Sequence, residues 1–397
     1  MTESAILPVP RDQRAHPLGP PVGMVEALGH GPVRMVWPNG VPAWVISSYS
    51  GVRTVLSDPR FSSMREGGPD MRASGDTIIG EKRPGNINVL DGAEHMRLRR
   101  PLSRAFMVKK MNAMRPFIQR IVDEHLDEME RSGAPADLVS AFCLPIPSLV
   151  IAELLGVPTE HQPLFQATAR GMFGVDNAKE DYLRNAAELA GVLVPVVEAR
   201  KREGASDDLI GLMVNDTDFE LDELLFLAIG LLAAGHETTS GAIGLFALTL
   251  FENPEQRAVL QADPDRVDVI VEELLRYSQG RLGGAALARR ALEEVELDGV
   301  TIREGEWVTV SLTANLDEAL CEQAGELDLT RKSVTHLGFG FGPHQCLGAN
   351  LARTELQIML RSLFTRFPDL APAIPVPQME FRTDSITYSA VEIPVVW

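Results

Sequence analysis

Phe339-Gly340-Phe341-Gly342-Pro343-His344-Gln345-Cys346-Leu347-Gly348 is the stretch on which the reading of this chain turns. It is a glycine-rich loop that carries one thiol and runs at once into an amphipathic segment, expected to be helical over 346–367. Leu347, Leu351, Met359, Leu360 and Leu363 share roughly one face of it. Glycines permit turns that a Cβ forbids and let N–H groups approach the sulfur closely. The helix points its partial positive end back toward Cys346. These features favour a thiolate over a thiol, the form a metal ligand requires. A lone cysteine is more often a small buried hydrophobe, a reading that suits Cys143 or Cys321 better. Structural zinc, with His336, His344 and Cys346 as candidates, fails on count. It wants four ligands, and the chain has three cysteines and no C-x-x-C pair.

The 397 residues carry a net charge of −18. A length prior suggests two or three domains, but no linker-like stretch interrupts the apolar segments. The expectation is a proline-rich arm over 1–22 and a single large domain over 23–397. Sparse cysteines point to a reducing compartment, and the N-terminal stretch has no apolar run resembling a signal peptide or anchor. A soluble, cytoplasmic protein is expected, a monomer with no membrane association. The acidic balance argues against nucleic acid as a partner. Against it, residues 95–120 hold Arg97, Arg99, Arg100, Arg104, Lys109, Lys110, Arg115 and Arg120 with no Asp or Glu. A charge run is usually a solvated helix face. One of a single sign in so acidic a chain suggests a docking patch for an acidic partner.

Two hairpins are marked by Pro38-Asn39-Gly40 and Asp298-Gly299, joining strands at 33–37 with 41–46 and at 295–297 with 300–302. A strand at 307–312 is expected to join the second pair. Helices are expected at 51–57, 94–103, 111–131, 141–155, 183–203, 221–251, 254–263 and 264–277. The class is mainly α with small, mostly N-proximal β-sheets. The 221–251 helix is apolar in both halves, and a membrane span is conceivable by length. Its middle reads Gly235-His236-Glu237-Thr238-Thr239-Ser240-Gly241, and a carboxylate at a bilayer centre costs several kcal/mol. A core helix about 45 Å long fits better.

The thiol loop matches Phe-x-x-Gly-x-His-x-Cys-x-Gly, so the chain resembles a haem-thiolate cytochrome P450 of the soluble, ferredoxin-dependent bacterial type. The resemblance implies the P450 fold, a long central helix crossing over haem b, and Cys346 as the axial ligand of its iron. Ala234-Gly235-His236-Glu237-Thr238-Thr239 matches the family's oxygen-binding segment. That implies Ala234 against the haem and Thr238 with Glu237 as catalytic proton carriers, a hydroxyl beside the oxygen and an acid linking it to solvent. The bland alternative is a threonine bonding back to its i−4 carbonyl. Glu273-Leu274-Leu275-Arg276 and Asp328-Leu329-Thr330-Arg331 imply a structural network of Glu273, Arg276 and Arg331. His95 and Arg99, one helical turn apart, match propionate-binding positions. His344 and Arg289 (favoured over Arg290) match two more, while Phe339 and Gly348 complete the haem contacts.

The match runs over nearly the whole chain, with departures. Gly280 stands where proline is common after Glu-x-x-Arg, and Ala314-Asn315-Leu316-Asp317-Glu318 replaces Ala-Asn-Arg-Asp-Pro. By resemblance the substrate pocket draws on the loop 71–90 with Leu90, on Gly230 and Ala233, on the loop 282–286 with Leu282 and Ala285, and on the turn at Ile386. The small residues there suggest a bulky, largely apolar ligand such as a polyketide or macrolide intermediate, or merely close packing. The implied activity is insertion of one oxygen atom from O2 into a C–H or C=C bond. Electrons would come from NAD(P)H through a reductase and an acidic ferredoxin docking on Arg97, Arg100, Arg104, Lys109, Lys110 and Arg115. Rival readings are a peroxide-using or non-oxygenative haem enzyme, and a haem-based sensor without turnover.

Overall fold

The structure, a computed structural model, describes residues 7–8, 14–22, 31–72, 80–175, 179–204, 206–215, 217–282 and 285–397. Its strands are β1 (Leu7–Pro8), β2 (Val33–Val36), β3 (Pro42–Ile46), β4 (Phe61–Ser62), β5 (Ala136–Asp137), β6 (Ala285–Ala291), β7 (Val295–Leu297), β8 (Val300–Ile302), β9 (Trp307–Ser311), β10 (Ala371–Pro372) and β11 (Pro394–Val396). The α-helices are α1 (Tyr49–Ser57), α2 (Gly92–Ala105), α3 (Val108–Ser132), α4 (Pro145–Leu155), α5 (Gln162–Met172), α6 (Lys179–Glu203), α7 (Leu209–Asn215), α8 (Leu221–Glu252), α9 (Pro254–Ala262), α10 (Val267–Leu282) and α11 (Ala349–Arg366). The chain divides into two compact units. One comprises residues 1–82, 88–91 and 269–346; the other comprises 83–87, 92–268 and 347–397.

The first unit is built on a six-stranded sheet of order β1-β2-β3-β9-β6-β4. Gly40, at φ +82°, turns β2 back on β3, so the N-terminal arm supplies an edge strand, β1, parallel to β2. The strand expected at 307–312 does not join the second hairpin. As β9 it lies between β3, to which it is parallel, and β6, to which it is antiparallel. Val308, Thr309, Val310 and Ser311 are all buried, so both faces of β9 are covered, and such a strand belongs at a sheet's centre. β7 and β8 form their own two-stranded sheet, with Asp298 and Gly299 both at positive φ in the turn. Strand β6 was not expected. Ala285-Ala286-Leu287-Ala288-Arg289-Arg290-Ala291 lacks β-branched residues, and its sheet position overrides propensity. The strand carries a bulge between Ala286 and Arg289, with Leu287 at φ +57°.

The second unit is helical around α8, whose N-terminus is closed by reciprocal hydrogen bonds between Glu220 and Glu223. Helices α4, α5 and α11 pack against α8, and α3 packs against α11. Among the described residues α8 is the one helix long and apolar enough to cross a membrane, and most of it is buried within the unit. The helix expected over 141–155 is broken: a wide π turn at Val139–Cys143 precedes α4, because Pro145 and Pro147 lack the N–H groups a continuous helix needs. The helix after the thiol begins at Ala349 with Gly348 as its cap, three residues later than expected. Helices α5 and α7 were missed. β5, β10 and β11 form a small sheet in this unit.

Candidate active site

Cys346 ends the first unit, on a loop whose backbone leaves little freedom. Its N–H donates to the Phe339 carbonyl at 2.8 Å, and the Gly340 N–H donates to the Leu337 carbonyl at 2.8 Å. Gly340 and Gly342 have φ of +70° and +73°. A Cβ at Gly342 would lie 2.4 Å from the Leu56 carbonyl oxygen on α1, so only glycine fits there. The Arg53 guanidinium covers the Phe341 ring at 4.4 Å. Upstream, His336 Nε2 lies 3.0 Å from a Glu272 carboxylate oxygen, and the Leu337 N–H donates to Asn315 Oδ1 at 2.7 Å. The outcome is an exposed thiol on a fixed loop.

The segment that carries Asn315 is fixed in turn by Arg276. This fully buried guanidinium grips Glu273 with two bonds of 2.7 Å and donates to the carbonyls of Asn315, Ala324 and Glu326 at 2.9, 2.5 and 2.8 Å. Burial alone would lower the Arg276 guanidinium, but the Glu273 carboxylate holds it above its ordinary value. Arg331 Nε adds a 3.2 Å bond to Glu273, and the Asp328 N–H adds one of 3.0 Å. Glu273, Arg276 and Arg331 thus meet in one bidentate cluster.

Positive charge gathers in the same unit. Arg289 is buried (4% exposed) and donates to the carbonyl of its neighbour Ala288. Burial, then repulsion from Arg65, push its guanidinium down to about 10 against an opposing pull from Asp91. His344 Nε2 lies 3.7 Å from Asp91. Burial works against the Asp91 carboxylate, yet His344, the Ser62 hydroxyl (2.5 Å) and the Ser63 N–H (3.0 Å) outweigh it and hold Asp91 well below the usual carboxylate range. Arg65 was missed by sequence reading; nothing in its local pattern sets it apart.

In the second unit α8 is buried almost throughout, but Gly230, Ala234 and Thr238 are exposed at i, i+4 and i+8. They form a bare stripe of small residues along one side of the helix. Thr238 Oγ1 donates to the Ala234 carbonyl at 2.6 Å, the back-bonded arrangement that sequence reading had set aside. Glu237 turns elsewhere. It is 5% exposed and accepts from Arg382 Nη1 at 3.1 Å, in a cavity of about 380 Å³ also walled by Ser240, Gly241 and Gly244. At about 100° per residue this group faces roughly a third of a turn away from Thr238. Arg382 is a partner the sequence did not reveal. His95, buried, and Arg99 occupy α2, one turn apart.

Comparison with known proteins decides the family. The sequence profile of Cytochrome P450 matches residues 161–382. The chain is 39% identical over 398 residues to nocardicin C N-oxygenase of Nocardia uniformis subsp. tsuyamanensis, covering 97% of this chain and 99% of that protein. It is 37% identical to mycinamicin IV hydroxylase/epoxidase of Micromonospora griseorubida, covering 97% and 99%. CYP105P1 in complex with filipin I superposes with a TM-score of 0.90 at 39% identity, covering 99% of each chain.

The chain is a cytochrome P450.

A P450 monooxygenase takes a haem, a small-molecule substrate and redox partners, and the residues here fit the haem. Within the first unit Cys346 offers a thiol on a rigid loop, and Arg289 offers charge for a carboxylate. The remaining expected positions scatter more widely. Within the P450's basic run, Arg97 is exposed but engaged: it pairs with Glu223 and, at 3.2 Å, with Asp218, and lies over the Phe219 ring. Arg115 donates to Gln357. Arg100, Arg104, Lys109 and Lys110 stay exposed, together with Met107 and Val108. Of the pocket candidates, Leu90 and Ala233 are buried, Gly230 and Ile386 are exposed, and the Ile386 N–H donates to the Phe173 carbonyl. Leu282 ends α10 and accepts from Arg14, and Ala285 opens β6. Residues 73–79, Gly283 and Gly284 lie outside the described residues.

Proposed function

We propose that this P450 inserts one oxygen atom from O2 into a C–H or C=C bond of a bulky, largely apolar small molecule in natural-product biosynthesis. It uses haem b and takes electrons from NAD(P)H through a reductase and an acidic ferredoxin. The observation that carries the reading is the bare stripe on α8 with a hydroxyl at its end. The haem, when bound, supplies the activation of O2. The chain's own residues do the rest. Cys346 would ligate the iron through a sulfur whose loop is pinned to α1 and, through Asn315, to the Arg276 cluster. On α8, Gly230 and Ala234 present little side-chain bulk, and Thr238 would supply a hydroxyl able to turn from its own helix carbonyl and donate a proton. Glu237, on another side of the same helix and held by Arg382 beside a separate cavity, would link α8 to solvent as a proton carrier.

The names of relatives support a large substrate, since nocardicin C and mycinamicin IV are substrates named for those enzymes. Exposed Arg100, Arg104, Lys109 and Lys110 support an acidic electron donor. The test is a screen of macrolides, polyketides and peptides for a ligand-induced Soret shift, followed by NADPH-dependent O2 uptake with ferredoxin and reductase. A ligand that shifts the spectrum and yields a product heavier by one oxygen is expected. Turnover with peroxide but not with the reductase system would overturn the reading.

A further inference from the structure

We propose that Arg65 and Arg289 together form a clamp for one carboxylate, in which Arg65 is a second cation that no feature of the sequence announces. The inference deepens the function proposed above and rests on it for the presence of haem. Its geometry comes from the sheet. β4 pairs with β6 so that Ser62 lies opposite Arg290, and Phe61 opposite Ala291. The chain leaves β4 through Ser63 and Met64 to Arg65, whose carbonyl accepts from Gly68 in a turn packed on Trp307. Trp307 is itself the cross-strand partner of Arg290. The turn bearing Arg65 therefore lies against the strand bearing Arg289.

The bulge in β6 decides which arginine faces inward. With Leu287 at φ +57° the strand alternation slips, Ala288 and Arg289 are both buried, and Arg290 is left outside over the Trp307 ring. A leucine in the left-handed region is strained, a conformation held where a side chain must be aimed.

Two guanidiniums are thus brought together in a shielded place. Among the described residues, Arg65 Nε is closed to solvent and has no acceptor, and Arg289 donates to the carbonyl of its neighbour. Among the described residues neither forms an ion pair. The nearby acids are committed: Asp91 to Ser62, Ser63 and His344, and Asp70 to the Arg72 N–H and, at 3.9 Å, its guanidinium. Burial pushes Arg65 below the usual arginine range, as it does Arg289. A buried cation, Arg289, beside a half-buried one that repels it is retained at a cost unless an anion completes the pair. A carboxylate, accepting bidentately from planar guanidinium forks, is the anion whose shape matches. It can come from a haem propionate or from a substrate acid.

The experiment compares wild type, Arg65→Gln and Arg65→Lys as holoproteins and, with haem removed, as apoproteins. Haem transfer to excess apomyoglobin reports the propionate. Soret titration with 1-phenylimidazole against 4-(imidazol-1-yl)benzoate reports a ligand carboxylate. If the propionate is the occupant, Arg65→Gln releases haem at least five-fold faster, Arg65→Lys releases it at an intermediate rate, and both imidazoles bind as in wild type. If a substrate acid is the occupant, haem release is unchanged and only the benzoate loses affinity, by ten-fold or more. In both cases the apoprotein of Arg65→Gln unfolds no lower than wild type, because an uncompensated charge has been removed. Unchanged haem release with equal affinities, an equal loss for both imidazoles, or a lower apoprotein midpoint would each overturn the clamp. Failure of wild type itself to retain haem would instead sink the reading on which the clamp rests.

Discussion

Replacing Glu273 by Gln leaves Arg276 with its shape-matched partner uncharged and its own charge in place. In the native structure Arg276 and Glu273 are both fully buried, and the guanidinium spends two of its five bonds on that carboxylate. Breaking a buried pair from one side costs about 3–5 kcal/mol, because the remaining charge is uncompensated. For 397 residues the unfolding entropy near the midpoint is about 0.8 kcal/mol/K, so the midpoint should fall by roughly 4–6 °C. Arg331 offers the control. Its side chain is 15% exposed and reaches Glu273 through one 3.2 Å bond, so Arg331→Gln should cost about 1 kcal/mol and 1–2 °C. Thermal unfolding followed by far-UV circular dichroism measures both. A Glu273→Gln shift no larger than that of Arg331→Gln would show that the cluster is not held by the buried pair.

Thr238→Ala removes the hydroxyl on the α8 stripe and should lower product formed per NADPH by about 10²-fold while O2 uptake falls far less, measured with an oxygen electrode and product assay. Reversing charge at the exposed positions, Arg104→Glu with Lys109→Glu, should slow reduction by ferredoxin about ten-fold at low salt, and the gap should close near 0.5 M salt. Arg97→Gln should instead lower the unfolding midpoint with little effect on that rate, since Arg97 is bound to Glu223 and Asp218. Burial pushes the Glu355 carboxyl well above its ordinary value. A raised folded value means its stabilising effect is intact below about pH 4.3 and is lost as pH climbs toward the folded value. Glu355→Gln should therefore unfold at a higher temperature than wild type at pH 8 and together with it near pH 4.

Features encoded within a few residues were legible in the sequence. The thiol loop, both hairpin turns and the long apolar helix each announce themselves through glycine placement or period. Features made by distant pairing were not. β9 had the right composition for a strand, but its neighbours are fixed by which sheet can cover both its faces. β6 lacked even that signal, and its bulge is what separates Arg289 from Arg290. The partners of Arg97 come from a distant stretch, Asp218 and Phe219 just before α8 and Glu223 in its first turn, and Arg382 reaches Glu237 from near the C-terminus. The acid on α8 thus gained a partner that spacing alone could not supply.

The first unit is assembled from pieces far apart along the chain, and its central pair joins β3 to β9. During synthesis at about 5–20 residues per second, β3 leaves the ribosome on the order of 10–50 s before its parallel neighbour exists. For that interval Val45 and Ile46, fully buried at the end, have one hydrogen-bonded edge open. Yield of this protein in a heterologous host should thus be governed by growth temperature and holdase capacity more than by final stability.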